Sequence, residues 1–166
     1  MGAYPLESLL SVRRYRESQA AVAVRAAEED LKQAEALVER SRVELAEYKS
    51  WRRLEEDRRY DAIMDKPCTL EKLDAFKDGL AQLAGGELLK EEAVQKAEKN
   101  VVRCETALQD ARTAARAAQK ETAKIQAHKD IWSEEDKKEA ERREDLELEE
   151  FKPLSRKGAE AEGDDA

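Results

Sequence analysis

The sequence predicts an all-α protein, a long two-helix antiparallel coiled-coil hairpin with a C-terminal helical overhang. Three observations predict it. Charged residues make up 42% of the 166 and aromatic ones only 5%; that is too few large apolar side chains for a globular core of this length, and it suits long paired helices. The three prolines stand at positions 5, 67 and 153. Because proline inside a helix costs about 3 kcal/mol, they mark boundaries. Between them, apolar residues recur at alternating steps of three and four, the pattern of a coiled-coil seam.

Helix one spans about 5–65. Pro5 suits its first helical position, where a missing N–H costs nothing, and Glu7 meets the positive end of the helix dipole. Val24, Ala27, Leu31, Ala34, Val38, Ser41, Leu45 and Tyr48 form its seam. Beyond Tyr48 the register blurs through "KSWRRLEEDRRY", where Trp51, Leu54, Tyr60 and Ile63 lie off the strict repeat. Pro67 disfavours the helical conformation for Lys66, so a turn occupies about 66–69. Thr69 can cap helix two, with Glu71 in its first turn.

Helix two spans about 70–152. Its seam runs through Leu73, Phe76, Leu80, Leu83, Glu87, Lys90, Val94, Ala97, Val101, Cys104, Leu108, Ala111, Ala115, Ala118, Thr122, Ile125, Lys129 and Trp132. Gly85-Gly86 interrupts the propensity but not the register, which favours one continuous, locally soft helix over a break. A hinge near Pro67 sets residue i beside about 134 − i, so Leu31 meets Cys104, Val38 meets Ala97, and the leucines at 6–10 meet Ile125, Lys129 and Trp132. "SEEDKKEAERREDLELEE" has no facing segment and forms the overhang, charged all round and supported by i,i+4 pairs. Residues 1–152 make a single hairpin, and 153–166 a polar, disordered tail.

The net charge of −8 disfavours general affinity for nucleic acid. No apolar run nears the ~20 residues of a membrane span, and no secretory signal opens the chain, so a soluble cytoplasmic protein is expected. Cys68 and Cys104, on one helix, would stand roughly 54 Å apart at 1.5 Å per residue, far beyond disulfide reach. They lack metal or redox spacing. His128 is the only histidine and reads as packing near Trp132. No cofactor, metal site or catalytic constellation is expected, since catalysis needs convergent groups in a concave site.

Two clusters remain as interaction surfaces. Tyr48, Trp51 and Tyr60 interleave with Arg52, Arg53, Arg58 and Arg59; these residue types dominate protein–protein hot spots, and they could equally cover the hinge against Leu73 and Phe76. Arg13, Arg14 and Arg16 follow the opening leucines. They could answer the acidic extension of helix two, or meet an acidic partner through bidentate contacts.

"YPLESLLSVRRYRE" at the start and "AHKDIWSEEDKKEAERREDLELEE" near the end resemble the corresponding parts of the YscO family, small coiled-coil proteins of bacterial type III secretion and relatives of the flagellar protein FliJ. The resemblance implies a non-enzymatic, monomeric stalk, similar in fold to the rotary-ATPase γ subunit. Its implied partners are the hexameric secretion ATPase, the membrane export gate and, for some members, secretion chaperones or the needle-length regulator. It implies a cytoplasmic protein peripheral to the inner-membrane apparatus. Arg13, Arg14 and Arg16 would face the ATPase, and Tyr48, Trp51, Tyr60 and Phe76 the gate or a chaperone. Gly85-Gly86 departs from the family pattern. Two rival readings are a homodimeric scaffold or chaperone-like adaptor without an ATPase, because Leu73–Leu83 is richer in large apolar residues than its facing segment, and an RNA-associated coiled coil.

Overall fold

The computed structural model describes residues 2–160. It is built of two helices, α1 (Glu7–Ile63) and α2 (Leu70–Glu160), joined by one short connection. The all-α hairpin is therefore as the sequence predicts. Pro5 lies ahead of α1 rather than on its first helical residue. The Glu7 N–H donates to the Tyr4 carbonyl at 3.2 Å, closing a turn around Pro5, whose fixed φ suits such a position.

α1 ends at Ile63 because Asp65 adopts a left-handed φ of 57°, which a short polar side chain tolerates better than most. The Met64 N–H still reaches the Tyr60 carbonyl at 2.9 Å, so the last turn closes before the chain reverses. Thr69 caps α2: the Lys72 N–H donates to its hydroxyl at 3.3 Å. The backbone of α2 passes Pro153 and runs on to Glu160, where the sequence reading ends the helix at about 152. A proline's φ of about −65° lies within the helical range, so the chain can continue at the loss of one hydrogen bond. The remainder of the expected polar tail, from residue 161, lies outside the described residues.

The chain divides into two compact units through which both helices pass. The first joins the described residues up to Ala20 with those from Ala114 onward. Here Leu10 is fully buried, and Tyr4 is nearly so, its ring tilted against Trp132 at 5.5 Å and its hydroxyl 2.6 Å from His128 Nδ1. Lys129 Nζ meets Glu7 at 2.7 Å. Leu10 thus takes the position the hinge arithmetic assigns, while Leu6 and Leu9 stay partly exposed. Residues 141–151 are all exposed, and Arg143 pairs with Glu139 one turn before it, as expected for an overhang held by its own i,i+4 contacts.

The second unit is Ala21–Thr113. Its buried residues are Ala34, Val38, Leu83, Ala97 and Leu108. Every seam residue named for either helix is buried or half-buried, because a three-four repeat returns to the same face of a helix. The helices run antiparallel in each unit. Arg13 meets Glu121 and Lys90 meets Glu44, where a hinge at Pro67 places them. Arg42–Glu98 and Arg112–Glu28 reach a turn or two further along, as long side chains can.

Candidate functional site

The cationic cluster at the start of α1 is not one surface. Residues three and four apart share a helix face, so Leu10, Arg13 and Glu17 turn toward α2. Arg13 is half-buried and meets Glu121 at 3.8 Å, and its Nε is buried without a partner. Lys124, and behind it Arg13, holds the Glu121 carboxyl below the ordinary carboxylate range. Arg14 donates to Gln126 at 2.7 Å. These partners precede the acidic extension, so the extension is not what Arg13 and Arg14 answer. Arg14 and Arg16 are both exposed without an ion pair among the described residues, and Arg16 makes no side-chain hydrogen bond there either. Leu9 and Val12, also exposed, stand seven and four positions before it and therefore on its face. Leu9, Val12 and Arg16 form an apolar-cationic strip that the sequence reading, intent on the arginines, did not single out.

The four aromatic residues near the hinge separate into two pairs. Tyr48 and Trp51 stack tilted at 5.4 Å, and Tyr60 meets Phe76 edge-on at 5.0 Å. Tyr48 is a seam residue. Its hydroxyl donates to the Leu83 carbonyl at 2.9 Å and lies directly over Gly86, where a Cβ would stand 2.9 Å from Tyr48 Cζ and closer still to the hydroxyl. Gly86 is therefore the socket for Tyr48, and this accounts for half of the glycine pair. A Cβ at Gly85 would meet nothing within 4 Å. At Gly79, one heptad before Gly86, an added Cβ would stand 2.6 Å from Arg59 Nη1, the far end of a flexible side chain that can move aside, so Gly79 is no such socket.

Trp51 is 49% exposed and Leu54 is 70% exposed. With Arg58 they repeat at steps of three and four, so they line one outward flank. Tyr60 points to another flank. A single aromatic patch is thus not formed. On the outer face of α2, Leu88 and Leu89 are also exposed.

Beneath the aromatic pairs the seam is ionic. Arg52 donates to Glu56 at 2.7 Å and to Glu87 at 2.6 Å, and the two carboxylates, Glu56 first, raise its already high pKa. Glu55, whose side chain is only 12% exposed, accepts from Arg58 and Arg59. These guanidiniums, Arg58 foremost, lower its pKa to about 2. The blurred register past Tyr48 is in fact a continuing seam of Arg52, Glu55, Arg59 and Ile63, all half-buried. A search for apolar positions passes over it.

An open groove of about 500 Å³ runs between the helices of this unit, lined by Leu37, Ser41, Ala93 and Ala97 with Lys96 and Arg103. Its titratable lining is all basic, Lys96, Lys99 and Arg103, with no carboxylate or histidine beside them. Among the described residues no group of three His, Cys, Asp or Glu is placed to hold a metal, and no helix is long and apolar enough to cross a membrane.

Paired helices, ionic cross-contacts and exposed apolar-cationic strips define a helical-hairpin protein. The chain belongs to the YscO family: the family model for type III secretion protein YscO matches residues 6–154. Two solved structures agree. The YscO homolog CT670 from Chlamydia trachomatis is 25% identical, with a TM-score of 0.72 over 97% of this chain and 99% of that one. YscO from Vibrio parahaemolyticus is 25% identical, with a TM-score of 0.82 over 88% of this chain and 92% of that one. A search among curated proteins finds no significant match.

Proposed function

We propose that this protein is a non-enzymatic central stalk or adaptor of a type III secretion export apparatus, coupling the hexameric secretion ATPase to the export gate and receiving chaperones or the needle-length regulator. The observation that carries the reading is the family match over residues 6–154 on an antiparallel helical hairpin. A stalk catalyses nothing; it biases a ring's conformational or assembly equilibrium by binding some states better than others. In this reading the monomer works on the cytoplasmic side, peripheral to the inner membrane. Arg13, Arg14 and Arg16 meet the ATPase, with Arg16 contributing most because its guanidinium has no partner among the described residues, whereas Arg13 meets Glu121 and Arg14 meets Gln126. Tyr48, Trp51, Tyr60 and Phe76 mark the gate or chaperone end, where Trp51 and Leu54 offer the exposed apolar surface.

The test is ATP turnover and ring assembly of the cognate secretion ATPase with and without this protein. An increase in either supports the stalk. No change in both removes it, and a stable dimer by light scattering would favour the scaffold instead. Reversing Arg13, Arg14 and Arg16 to glutamate should weaken ATPase binding at least about tenfold, and Arg16→Glu alone should account for most of that loss.

A further inference from the structure

We infer that the hinge-side seam of α2, Leu73, Phe76, Leu80 and Leu83, is a latent docking surface for an aliphatic amphipathic helix, and that the last turns of α1 are its displaceable cover. The inference does not rest on the secretion reading; it follows from a mismatch between the two sides of one seam. α2 presents four large apolar residues at three-four spacing, the side of a coiled coil that asks for aliphatic knobs. α1 answers with Arg52, Glu55 and Arg59 before reaching Ile63. None of residues 49–63 is buried, and of the four α2 residues only Leu83 is.

The cover holds itself more than it holds α2. Glu55 spends its oxygens on Arg58 and Arg59, three and four residues on along the same helix. Arg52 divides its guanidinium between Glu56 of α1 and Glu87 of α2. What crosses between the helices here is the Arg52–Glu87 pair, the exposed Lys49–Glu91 pair and the edge-on contact of half-exposed Tyr60 with Phe76, and partly exposed pairs of this kind contribute little. The self-contained contacts survive if α1 lifts away, so they do not oppose opening. Few buried apolar contacts and solvent-reached ion pairs mark a segment of low local stability.

The same geometry specifies the guest. It is a helix running as α1 runs, with aliphatic side chains where α1 places Glu55 and Arg59. It carries a cation where α1 places Arg52, to take over Glu87, the carboxylate just beyond Leu83.

The probe is a synthetic peptide of residues 48–63 carrying Glu55→Leu and Arg59→Leu, with the natural-sequence peptide as control. In the natural full-length protein, amides of 73–83 should exchange with solvent at least about tenfold faster than those of 97–108. The leucine peptide should bind and slow that exchange, and the control peptide should not. The full-length variant Glu55→Leu/Arg59→Leu fills its own seam; its 73–83 amides should slow to the level of 97–108, and it should no longer take the peptide. Equal exchange of the two segments in the natural protein overturns the inference, as does a leucine peptide that fails to bind it or binds the filled variant equally well. If the filled variant does not fold, the exchange comparison and the two peptides on the natural protein decide alone.

Discussion

Two stretches of the same helix pair hold together by different physics. In the middle, Ala27–Leu45 lies against Val94–Ala111, and Ala34, Val38, Ala97 and Leu108 are buried. Nearer the hinge, α1 supplies Arg52, Glu55 and Arg59 to the seam while α2 supplies leucines and a phenylalanine. The small alanines of the middle let helix axes approach closely, and apolar burial contributes roughly 25 cal/mol per Å² there. The hinge side relies on aliphatic stems lying under charged heads, on one tyrosine in a glycine socket, and on ion pairs that water reaches. The lesson is that an unbroken register does not mean uniform cohesion. The repeat keeps the two helices in step, while residue type decides how firmly each stretch is held.

Truncating one leucine in each stretch should separate the two most strongly. Leu108→Ala opens a cavity at a buried site and should destabilise the protein by about 2–4 kcal/mol. Leu80→Ala removes a half-buried side chain that faces charged neighbours and should cost less than about half as much, since less transfer free energy is lost. Urea melts of the two variants decide it. Equal losses would mean that the hinge side is as well packed as the middle.

Much of this was legible from the repeat alone. Each of the seam residues from Val24 to Tyr48, and from Leu73 to Trp132, is shielded in the structure, because apolar periodicity reports directly which face of a helix is covered. The turn at Pro67 and the Thr69 cap were readable for similar reasons, being local chemistry. The seam past Tyr48 was not. Its positions carry charges, while Trp51, Leu54 and Tyr60 advertise themselves from the flanks, so the apolar pattern drew attention to the wrong faces. At the start of α1, spacing from Leu10 puts Arg13 on the seam, yet charge alone points to the acidic extension or an acidic partner and not to Glu121. The glycines were opaque because a glycine reads only as a weak point until its opposite number is known. The hinge arithmetic does place residue 86 opposite Tyr48, and there the clue lay.

Two adjacent glycines, one under the Tyr48 ring and one facing open space, test that socket directly. Gly86→Ala drives a methyl group into Tyr48 at its hydroxyl and Cζ, and the ring cannot move without giving up its bond to the Leu83 carbonyl. Overpacking of this kind costs about 1–3 kcal/mol. Gly85→Ala meets open space and removes a helical glycine, so it should stabilise by about 0.4–1 kcal/mol. Thermal melts should therefore move in opposite directions for two adjacent, identical substitutions. Pairing Gly86→Ala with Tyr48→Ala should recover the clash component of the loss. Two shifts of the same sign would remove the socket from the account of the hinge side.

Acid should loosen the hinge side only slightly. Arg58 and then Arg59 lower the pKa of Glu55 to about 2, whereas the unfolded chain leaves that carboxyl near its usual 4.5. A carboxylate whose folded pKa is depressed binds its proton more readily in the unfolded state, so its stabilising contribution is complete above about pH 4.5 and fades as pH falls toward 2. Glu55→Gln should therefore be less stable than the natural protein at neutral pH. The gap should narrow through that window and close near its lower end. Carboxyl titration by NMR locates the midpoint directly, and denaturant midpoints across the same range measure the gap. Because Arg58 and Arg59 belong to the same helix as Glu55, the loss should loosen the last turns of α1 while leaving Ala27–Leu45 untouched. A Glu55 midpoint in the ordinary range would mean that its guanidinium contacts do not persist in solution, and the hinge side would then be held by Tyr48 on Leu83, by Tyr60 on Phe76 and by the cross-helix Arg52–Glu87 and Lys49–Glu91 pairs.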